Sequence, residues 1–194
     1  MAASEERRGG GERLFLAVDL PEDARRALEV HLRESLAGRP LPGRAVAPRS
    51  WHLTLRFLGD TAPERRVGVV RALREADPGP AFTLGFGGLG AFPRPARASV
   101  LWLGVEEGAA PLRALAATAE EAARQAGFPA EARPFSPHLT LSRIRPPQDV
   151  RGVVERVPAF RERIPVEEVV LFRSHLGPGG ARYEAVEHFP LRAP

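Results

Sequence analysis

The sequence predicts an α+β protein with largely antiparallel sheets, because segments typical of strands come in adjacent pairs between segments typical of helices. The chain has 194 residues, 43% of them hydrophobic, which is enough to bury one core. No stretch has the length and composition of an interdomain linker. We therefore predict one domain at residues 13–194, preceded by a flexible polar tail at residues 1–12.

The predicted strands are apolar runs rich in β-branched and aromatic residues, bounded by Gly, Pro or charged residues. In chain order they cover residues 13–20, 51–58, two segments within 81–105, 138–144, 164–176 and 181–189. Gly177-Pro178-Gly179-Gly180 has the composition of a tight turn, so the last two strands are expected to form a hairpin.

Four helices separate these strands. They are predicted at residues 21–36, 61–76, 109–126 and 148–156. Pro21 and two acidic residues open the first helix, and Thr61 with Glu64 has the spacing of a capping box for the second. The third has a stripe of Leu and Ala along one face and ends before Gly127.

Composition excludes several reaction classes. All 28 residues in the Lys and Arg total are Arg, and Cys is absent. The chain therefore has no lysine for a Schiff base, a bound adenylate or a P-loop, and no thiol nucleophile or thiolate zinc site. No cofactor and no metal is predicted, so proton transfer falls mainly to the His, Asp and Glu side chains.

Charge and hydropathy bear on the partners of the protein and on its location in the cell. A net charge of +4 and a pI near 10.9 suit an anionic partner such as RNA, and they suit equally a surface rich in Arg for solubility. No apolar run reaches the roughly 20 residues of a membrane span, and the polar N-terminus does not resemble a signal peptide. We expect a cytoplasmic monomer that does not bind membranes.

One tetrapeptide occurs twice. His-Leu-Thr-Leu begins at His52 and again at His138, each time after a loop and at the start of a predicted strand. Because strand side chains alternate between faces, Thr54 and Thr140 share the face of their histidine, while the leucines and Phe57 lie on the opposite, buried face. If the repeats mark halves related by a pseudo-twofold axis, both His-Thr pairs meet in one cleft.

Two imidazoles and two hydroxyls around one cleft suit phosphodiester chemistry. One neutral His can take a proton from an attacking oxygen while the other, protonated, supplies a proton to the leaving oxygen. The hydroxyls can donate to the non-bridging phosphate oxygens. A single His-x-Thr in a strand is ordinary, because Thr favours strands, so the functional hypothesis rests on the matched pair.

The paired motifs resemble those of the two-histidine (2H) phosphoesterase superfamily, and in particular its RNA 2′,3′-cyclic phosphodiesterases, also called 2′-5′ RNA ligases. The resemblance covers nearly all of residues 13–194. It rests on R-L-F-L-A-V-D-L-P at residues 13–21, H-L-T-L-R-F-L-G at 52–59, V-L-W-L-G-V at 100–105, P-H-L-T-L-S-R at 137–143 and the segment 174–183. It implies a bilobal fold, with two mainly antiparallel sheets around a central cleft and helices outside.

The resemblance also implies an activity and the residues that perform it. The expected reaction is hydrolysis of a terminal RNA 2′,3′-cyclic phosphate to a 2′-phosphate. His52 would be the proton donor, and His138 the proton acceptor that activates water. Thr54 and Thr140 would hold the phosphate, and Arg143 matches the arginine that follows the family's second motif, which implies a phosphate or substrate contact.

Four further side chains are candidates for contacts in the cleft. Arg143 lies three residues after the second Thr, on the opposite face of a regular strand, so it needs a bulge or a strand end to reach the phosphate. Arg56 is in phase with the first His and is the alternative. Phe15 either stacks on the terminal base or packs in the core. Tyr183 belongs to a late segment expected to line the cleft.

Three hypotheses remain open at this point. The first is an RNA cyclic phosphodiesterase that can also run in reverse, as an ATP-independent 2′-5′ ligase. The second is a 2H phosphoesterase that acts on a small nucleotide cyclic phosphate. The third is a non-catalytic module that binds RNA 3′ ends with salt-sensitive affinity.

The glycine-rich run Gly85–Gly90 matches the pattern G-x-G-x-x-G of dinucleotide sites. Such a site requires the run to open a helix, and Ala91-Phe92-Pro93 cannot begin one. We interpret the run as a hairpin connection.

Overall fold

The computed structural model describes residues 11–177 and 180–193, and it contains two antiparallel sheets with helices packed against them. In chain order the strands are β1 (Glu12–Asp19), β2 (Arg44–Ala45), β3 (His52–Thr61), β4 (Phe82–Phe92), β5 (Ala98–Glu107), β6 (His138–Gln148), β7 (Arg163–Val166), β8 (Glu168–Gly177) and β9 (Gly180–Pro190). One sheet has the order β3-β1-β8-β9 and the other β2-β6-β5-β4-β7. The predicted α+β class with two mainly antiparallel sheets is confirmed.

The helices lie close to their predicted positions. They are α1 (Glu22–Ser35), α2 (Pro63–Glu75), α3 (Ala109–Gln125) and α4 (Arg151–Arg156). The capping box at Thr61 is wrong: Thr61 ends β3, and its hydroxyl donates to the Gly59 carbonyl at 2.9 Å. Pro63 begins α2 instead, because its fixed φ suits the first helical position. No helix in the described part of the chain is long and apolar enough to cross a membrane.

The predicted tail and one predicted strand have different bounds in the structure. Glu12, assigned to the tail, is the first residue of β1 and forms ion pairs with Arg66 and Arg173. The predicted strand at residues 164–176 divides at Glu167 into β7 and β8, which belong to different sheets. Most of the predicted tail, at residues 1–10, and the centre of the predicted turn, at 178–179, lie outside the described residues.

The glycine-rich run is not a hairpin connection, because it lies inside β4. Gly90 faces the indole of Trp102 on β5, and a Cβ at Gly90 would lie 2.2 Å from that ring. Gly87 is equally close to the side chain of Glu106, where a Cβ would lie 2.4 Å from the carboxylate. Close approach of large neighbours therefore accounts for Gly87 and Gly90 in this strand.

The two strands that begin with the repeated tetrapeptide lie in different sheets. β3 pairs with β1 and β6 pairs with β5, in both cases antiparallel, and β3 and β6 contact each other. The main hydrophobic core contains residues of both sheets and of the first three helices. Each His-Thr pair therefore stands on a strand whose leucines are anchored in this core.

A bulge interrupts β3 and β6 at the same position of the repeat. The extra residue is Leu55 in β3 and Leu141 in β6, because the residues on either side of each pair with consecutive residues of the neighbouring strand. An extra residue reverses the faces of the side chains that follow it. Both strands therefore change phase directly after the tetrapeptide.

Burial follows this change of phase identically in the two repeats. Over seven residues from each histidine, the pattern is half-buried, buried, half-buried, buried, buried, exposed and buried. The fifth residue after each histidine returns to the cleft face: this is Phe57 in β3 and Arg143 in β6. The residues before them, Arg56 and Ser142, turn towards the interior.

Candidate active site

Two cavities meet between β3 and β6. The first has a volume of about 510 Å³ and is lined by His52, and the second has a volume of about 890 Å³ and is lined by His138. Four residues line both cavities: Thr54, Phe57, Thr140 and Arg143. These shared residues mark the place where one ligand can contact both histidines, and they include three of the predicted phosphate contacts.

Both imidazoles are oriented in the same way by the backbone. His52 Nδ1 donates to the carbonyl of Ser50 at 2.9 Å, and His138 Nδ1 donates to the carbonyl of Ser136 at 2.7 Å. The Nε2 atom of each histidine is then the basic nitrogen. In β3 this nitrogen accepts a hydrogen bond from the hydroxyl of Thr54 at 2.9 Å.

The surroundings of the site favour neutral imidazoles in the absence of an anion. Burial lowers the pKa of His52 to about 4, and the positive charges of Arg143 and Arg25 act in the same direction. Burial also lowers the pKa of His138 from its usual 6.5, again with repulsion from Arg143. A bound phosphodiester carries a negative charge and would raise the pKa of both histidines.

Arg143 faces the cleft, and the bulge that this orientation requires is present. Three arginines line the first cavity, and no acidic residue does so among the described residues: the arginines are Arg13, Arg143 and Arg145. None of the three forms an ion pair within the described part of the chain, so their charges are available to an anion.

Arg56 lines the second cavity, but its guanidinium is already bound by protein groups, so Arg143 is the better placed of the two arginines to contact a phosphate. The bulge turns the Arg56 side chain inward, where only 8% of it is exposed. Its Nε lies 2.5 Å from Glu120 Oε2, an ion pair that lacks the alignment of a hydrogen bond. Its other nitrogens donate to the carboxylate of Glu131 at 3.2 Å and to the carbonyl of Pro129 at 2.5 Å. Arg56 therefore joins β3 to the segment after α3.

Replacing Arg56 by Ala is expected to lower the free energy of unfolding by about 3 kcal/mol, because it leaves the Glu120 carboxylate, also largely buried, without its partner. The control is Arg124→Ala, whose ion pair with Glu121 is exposed and should contribute less than about 0.5 kcal/mol. Urea denaturation at neutral pH measures both variants. A loss below about 1 kcal/mol for Arg56→Ala would contradict this structural role.

The aromatic residues predicted at the first cavity differ in exposure. Phe15 is only 3% exposed, and its ring centroid lies 4.8 Å from that of His52 and 4.9 Å from that of Tyr183. This burial favours the packing alternative over stacking on a base: the ring stacks on Phe172, with centroids 5.4 Å apart, and it also lines the first cavity. The Tyr183 ring meets the edge of His52 at 5.1 Å and lines the cavity.

Sequence reasoning misplaced Phe57 and missed the aromatic residues beside His138. Phe57 was expected on the leucine face, yet it is 42% exposed in the cleft, because the bulge reverses its direction. The ring of Phe92 packs edge-on against His138 at 5.1 Å, with Trp102 at 6.3 Å. Phe57 and Arg143 each lie five residues after the histidine of their motif. This equal spacing was the available sign that Phe57 faces the cleft as Arg143 does.

The other histidines lie outside both cavities. A ring nitrogen of His31 contacts the carbonyl of Pro158. The rings of His175 and His188 contact the carboxylates of Glu184 and Glu168, respectively. Within residues 11–177 and 180–193, no three His, Asp or Glu side chains are grouped as ligands of a metal ion.

Comparison with known proteins assigns the family. The family model of the 2′-5′ RNA ligase superfamily matches residues 21–178, a range that includes His52 and His138. The chain belongs to the 2′-5′ RNA ligase superfamily. Within this superfamily it is 33% identical to the RNA 2′,3′-cyclic phosphodiesterase of Escherichia coli over 181 residues, which are 93% of this chain and 97% of that protein. It is 34% identical to the protein of the same name from Archaeoglobus fulgidus, with 91% and 99% covered.

Solved structures of proteins similar in sequence have the same fold. Escherichia coli LigT complexed with 3′-AMP matches with a TM-score of 0.76 at 31% identity, covering 93% of this chain and 98% of that chain. The protein TT0787 of Thermus thermophilus matches with a TM-score of 0.66 at 36% identity, covering 93% and 98%. The family resemblance predicted from the two histidine motifs is confirmed.

Proposed function

We propose that this chain hydrolyses the terminal 2′,3′-cyclic phosphate of RNA to a 2′-phosphate by acid-base catalysis between His52 and His138. The observation that carries this proposal is the matched pair of imidazoles, each fixed through Nδ1 to a backbone carbonyl and each lining one of two cavities that meet at shared hydroxyls. The names of the relatives, RNA 2′,3′-cyclic phosphodiesterases, support the same reaction.

In the proposed reaction His138 Nε2 takes a proton from water, and the water oxygen forms a bond to phosphorus. The bond from phosphorus to the 3′ oxygen breaks, and His52 Nε2 supplies a proton to that oxygen. The phosphate stays on the 2′ oxygen. The reaction thus consumes one water, returns the histidines with their protonation states exchanged, and uses no other cofactor.

Thr54, Thr140 and Arg143 would stabilise the phosphorane-like transition state. They are the polar residues that line both cavities, so their donors can reach the non-bridging oxygens, where negative charge increases. Arg143 contributes a fixed positive charge without an ion-pair partner among the described residues. All three donors are provided by strands, and strands hold their side chains more rigidly than loops do.

The same geometry supports ligation as the reverse of a cleavage. A 5′-hydroxyl in the place of water would attack the cyclic phosphate and form a 2′-5′ linkage, with the energy supplied by the strained ring. The absence of Lys from the sequence excludes the route through a lysine adenylate. We propose this ligation as a secondary activity.

The pH dependence follows from the two lowered pKa values. Catalysis requires a protonated His52 and a neutral His138. The fraction of the protein in this singly protonated form is greatest at a pH between the two pKa values, whichever histidine has the lower one, so kcat/KM has a bell-shaped pH profile. Since the pKa of His52 is about 4 and that of His138 is below 6.5, the maximum of kcat/KM is expected between these values. The bell-shaped pH profile of kcat should have its maximum at a higher pH than that of kcat/KM, because the bound phosphate raises the pKa values of both histidines. A kcat/KM maximum above pH 7 would contradict this assignment.

The proposal is tested with a 5′-labelled RNA that ends in a 2′,3′-cyclic phosphate, incubated with the protein and excess chelator. We expect turnover to a 2′-phosphate. Loss of turnover on chelation would refute the metal-independent mechanism, and binding without turnover would favour a non-catalytic RNA-end module. Faster turnover of a mononucleotide 2′,3′-cyclic phosphate would favour the small-nucleotide alternative. Location in the cytoplasm and a monomeric state stay predictions from the sequence.

A further inference from the structure

The second cavity is much larger than the proposed hydrolysis requires. It has a volume of about 890 Å³, it is lined by His138, and the lining residues that it shares with the first cavity are Thr54, Phe57, Thr140 and Arg143, where the phosphate is proposed to bind. A water molecule occupies roughly 30 Å³, whereas sites for small organic ligands measure about 300–1,000 Å³. A cavity of this size beside the proposed base is therefore suited to a nucleophile that carries a large group.

The position of this cavity relative to the phosphate defines what enters it. In a displacement at phosphorus, the attacking and leaving oxygens lie on opposite sides of the phosphorus atom. If His52 protonates the leaving 3′ oxygen, the terminal ribose and the RNA upstream of it occupy the first cavity. The attacking oxygen then approaches from the side of His138, so its substituent occupies the second cavity.

The lining of the second cavity suits a nucleoside followed by a phosphate. Three phenylalanines line it, namely Phe57, Phe92 and Phe135, and such rings stack on nucleobases. Two exposed arginines, Arg113 and Arg133, also line it and form no ion pair within the described residues. Arginine side chains of this kind bind phosphate through two parallel hydrogen bonds.

Two acidic residues in the same lining do not oppose this assignment. Glu120 and Glu131 both lie beside the guanidinium of Arg56, whose single positive charge offsets one of their two negative charges, and the lining as a whole keeps a net charge of +2 from its four arginines and two glutamates. The cavity then has Arg113, Arg133 and Arg143 for an anionic ligand.

We propose that the second cavity is the binding site for the nucleoside that bears the attacking 5′-hydroxyl, and that Arg113 and Arg133 bind the phosphate on its 3′ side. This inference rests on the proposed function. In ligation, His138 removes the proton of the 5′-hydroxyl, the bond from its oxygen to phosphorus forms, and the 3′ oxygen leaves with a proton from His52. In the reverse direction a 2′-5′ linkage breaks into a 2′,3′-cyclic phosphate and a 5′-hydroxyl, with no other reactant.

The test compares two substrates. One is a dinucleotide joined 2′ to 5′ with a phosphate on the 3′ oxygen of its second nucleoside, which spans both cavities. The other is an RNA oligonucleotide ending in a 2′,3′-cyclic phosphate, which needs only the first. Arg113→Ala together with Arg133→Ala should lower kcat/KM for cleavage of the dinucleotide roughly 10-fold and leave hydrolysis of the oligonucleotide within about twofold. Phe135→Ala should lower cleavage roughly 10-fold as well.

Two controls make the result specific. Arg26→Ala removes an exposed arginine on α1, outside both cavities and without an ion pair in the described part of the chain, and should change neither substrate. The dinucleotide without its 3′-phosphate should be insensitive to the arginine substitutions yet remain sensitive to Phe135→Ala. Thermal melting checks that each variant is folded.

Three results would overturn the inference: no cleavage of the dinucleotide by a protein that hydrolyses the oligonucleotide, equal losses for both substrates, or no loss for either. Failure of the unmodified protein to hydrolyse the oligonucleotide would instead refute the proposed function. Anisotropy of the labelled dinucleotide would then decide the inference, since binding must weaken in the Arg113→Ala, Arg133→Ala protein and not in Arg26→Ala.

Discussion

Replacing either His52 or His138 by Ala is expected to lower kcat for a cyclic-phosphate RNA end by roughly 100- to 10,000-fold, the usual contribution of a positioned acid or base. The two losses should not add fully in the double variant, because the histidines act on one transition state. The control is His188→Ala, since this exposed side chain contacts Glu168 outside both cavities. Single-turnover assays measure the chemical step.

The same series separates catalysis from binding. Both Ala variants should bind the RNA end within a few-fold of the unmodified protein, because the arginines of the first cavity supply most of the attraction for an anion. Activity of either variant within tenfold of the unmodified protein would refute its assignment as a proton-transfer group. Near-normal activity in both would favour a site elsewhere in the molecule.

Removal of the two hydroxyls is expected to have the next largest effect. Thr54→Val and Thr140→Val keep the shape and the strand preference of the side chain but remove its donor, and each should lower kcat roughly 100-fold or more, as loss of an oxyanion donor does. For Thr54 the hydrogen bond to His52 Nε2, at 2.9 Å, is lost as well.

Serine at the same positions is the matched control. Thr54→Ser and Thr140→Ser retain a hydroxyl and should recover most of the activity that valine removes. Similar losses for serine and valine would show that the methyl group, and hence packing, is what matters at these positions. Melting temperatures of the four variants distinguish a catalytic loss from a folding defect.

Much of the fold could be predicted from local sequence. The helices begin and end close to their predicted positions because Pro, acidic residues and Gly act within one turn of the chain. The positions of His52 and His138 at the start of two strands were also predictable, because the repeated tetrapeptide alternates in the manner of a half-buried strand. That these strands lie in different sheets was implied only by the family resemblance.

The errors arose where sheet pairing controls a side chain's direction. Arg56 and Phe57 exchanged faces because of one unpaired residue in β3, and such a bulge depends on the register with β1, which local sequence does not encode. Gly87 and Gly90 of β4 are likewise explained only by side chains of the adjacent strand, Glu106 and Trp102. In the same way, Glu12 belongs to β1 through its pairing with Thr61 of β3, and its carboxylate contacts two arginines distant in sequence.

The central claim is that His52 and His138 transfer protons at opposite sides of one phosphate, and a change of leaving group tests it most directly. A substrate whose 3′ bridging oxygen is replaced by sulfur has a leaving group that departs without a proton, because a thiol has a pKa near 8.5, far below that of an alcohol. On this substrate His52→Ala should recover to within roughly tenfold of the unmodified protein, while His138→Ala should keep its full loss of activity. Equal losses for the two variants on the sulfur substrate, or recovery of His138→Ala alone, would contradict the claim.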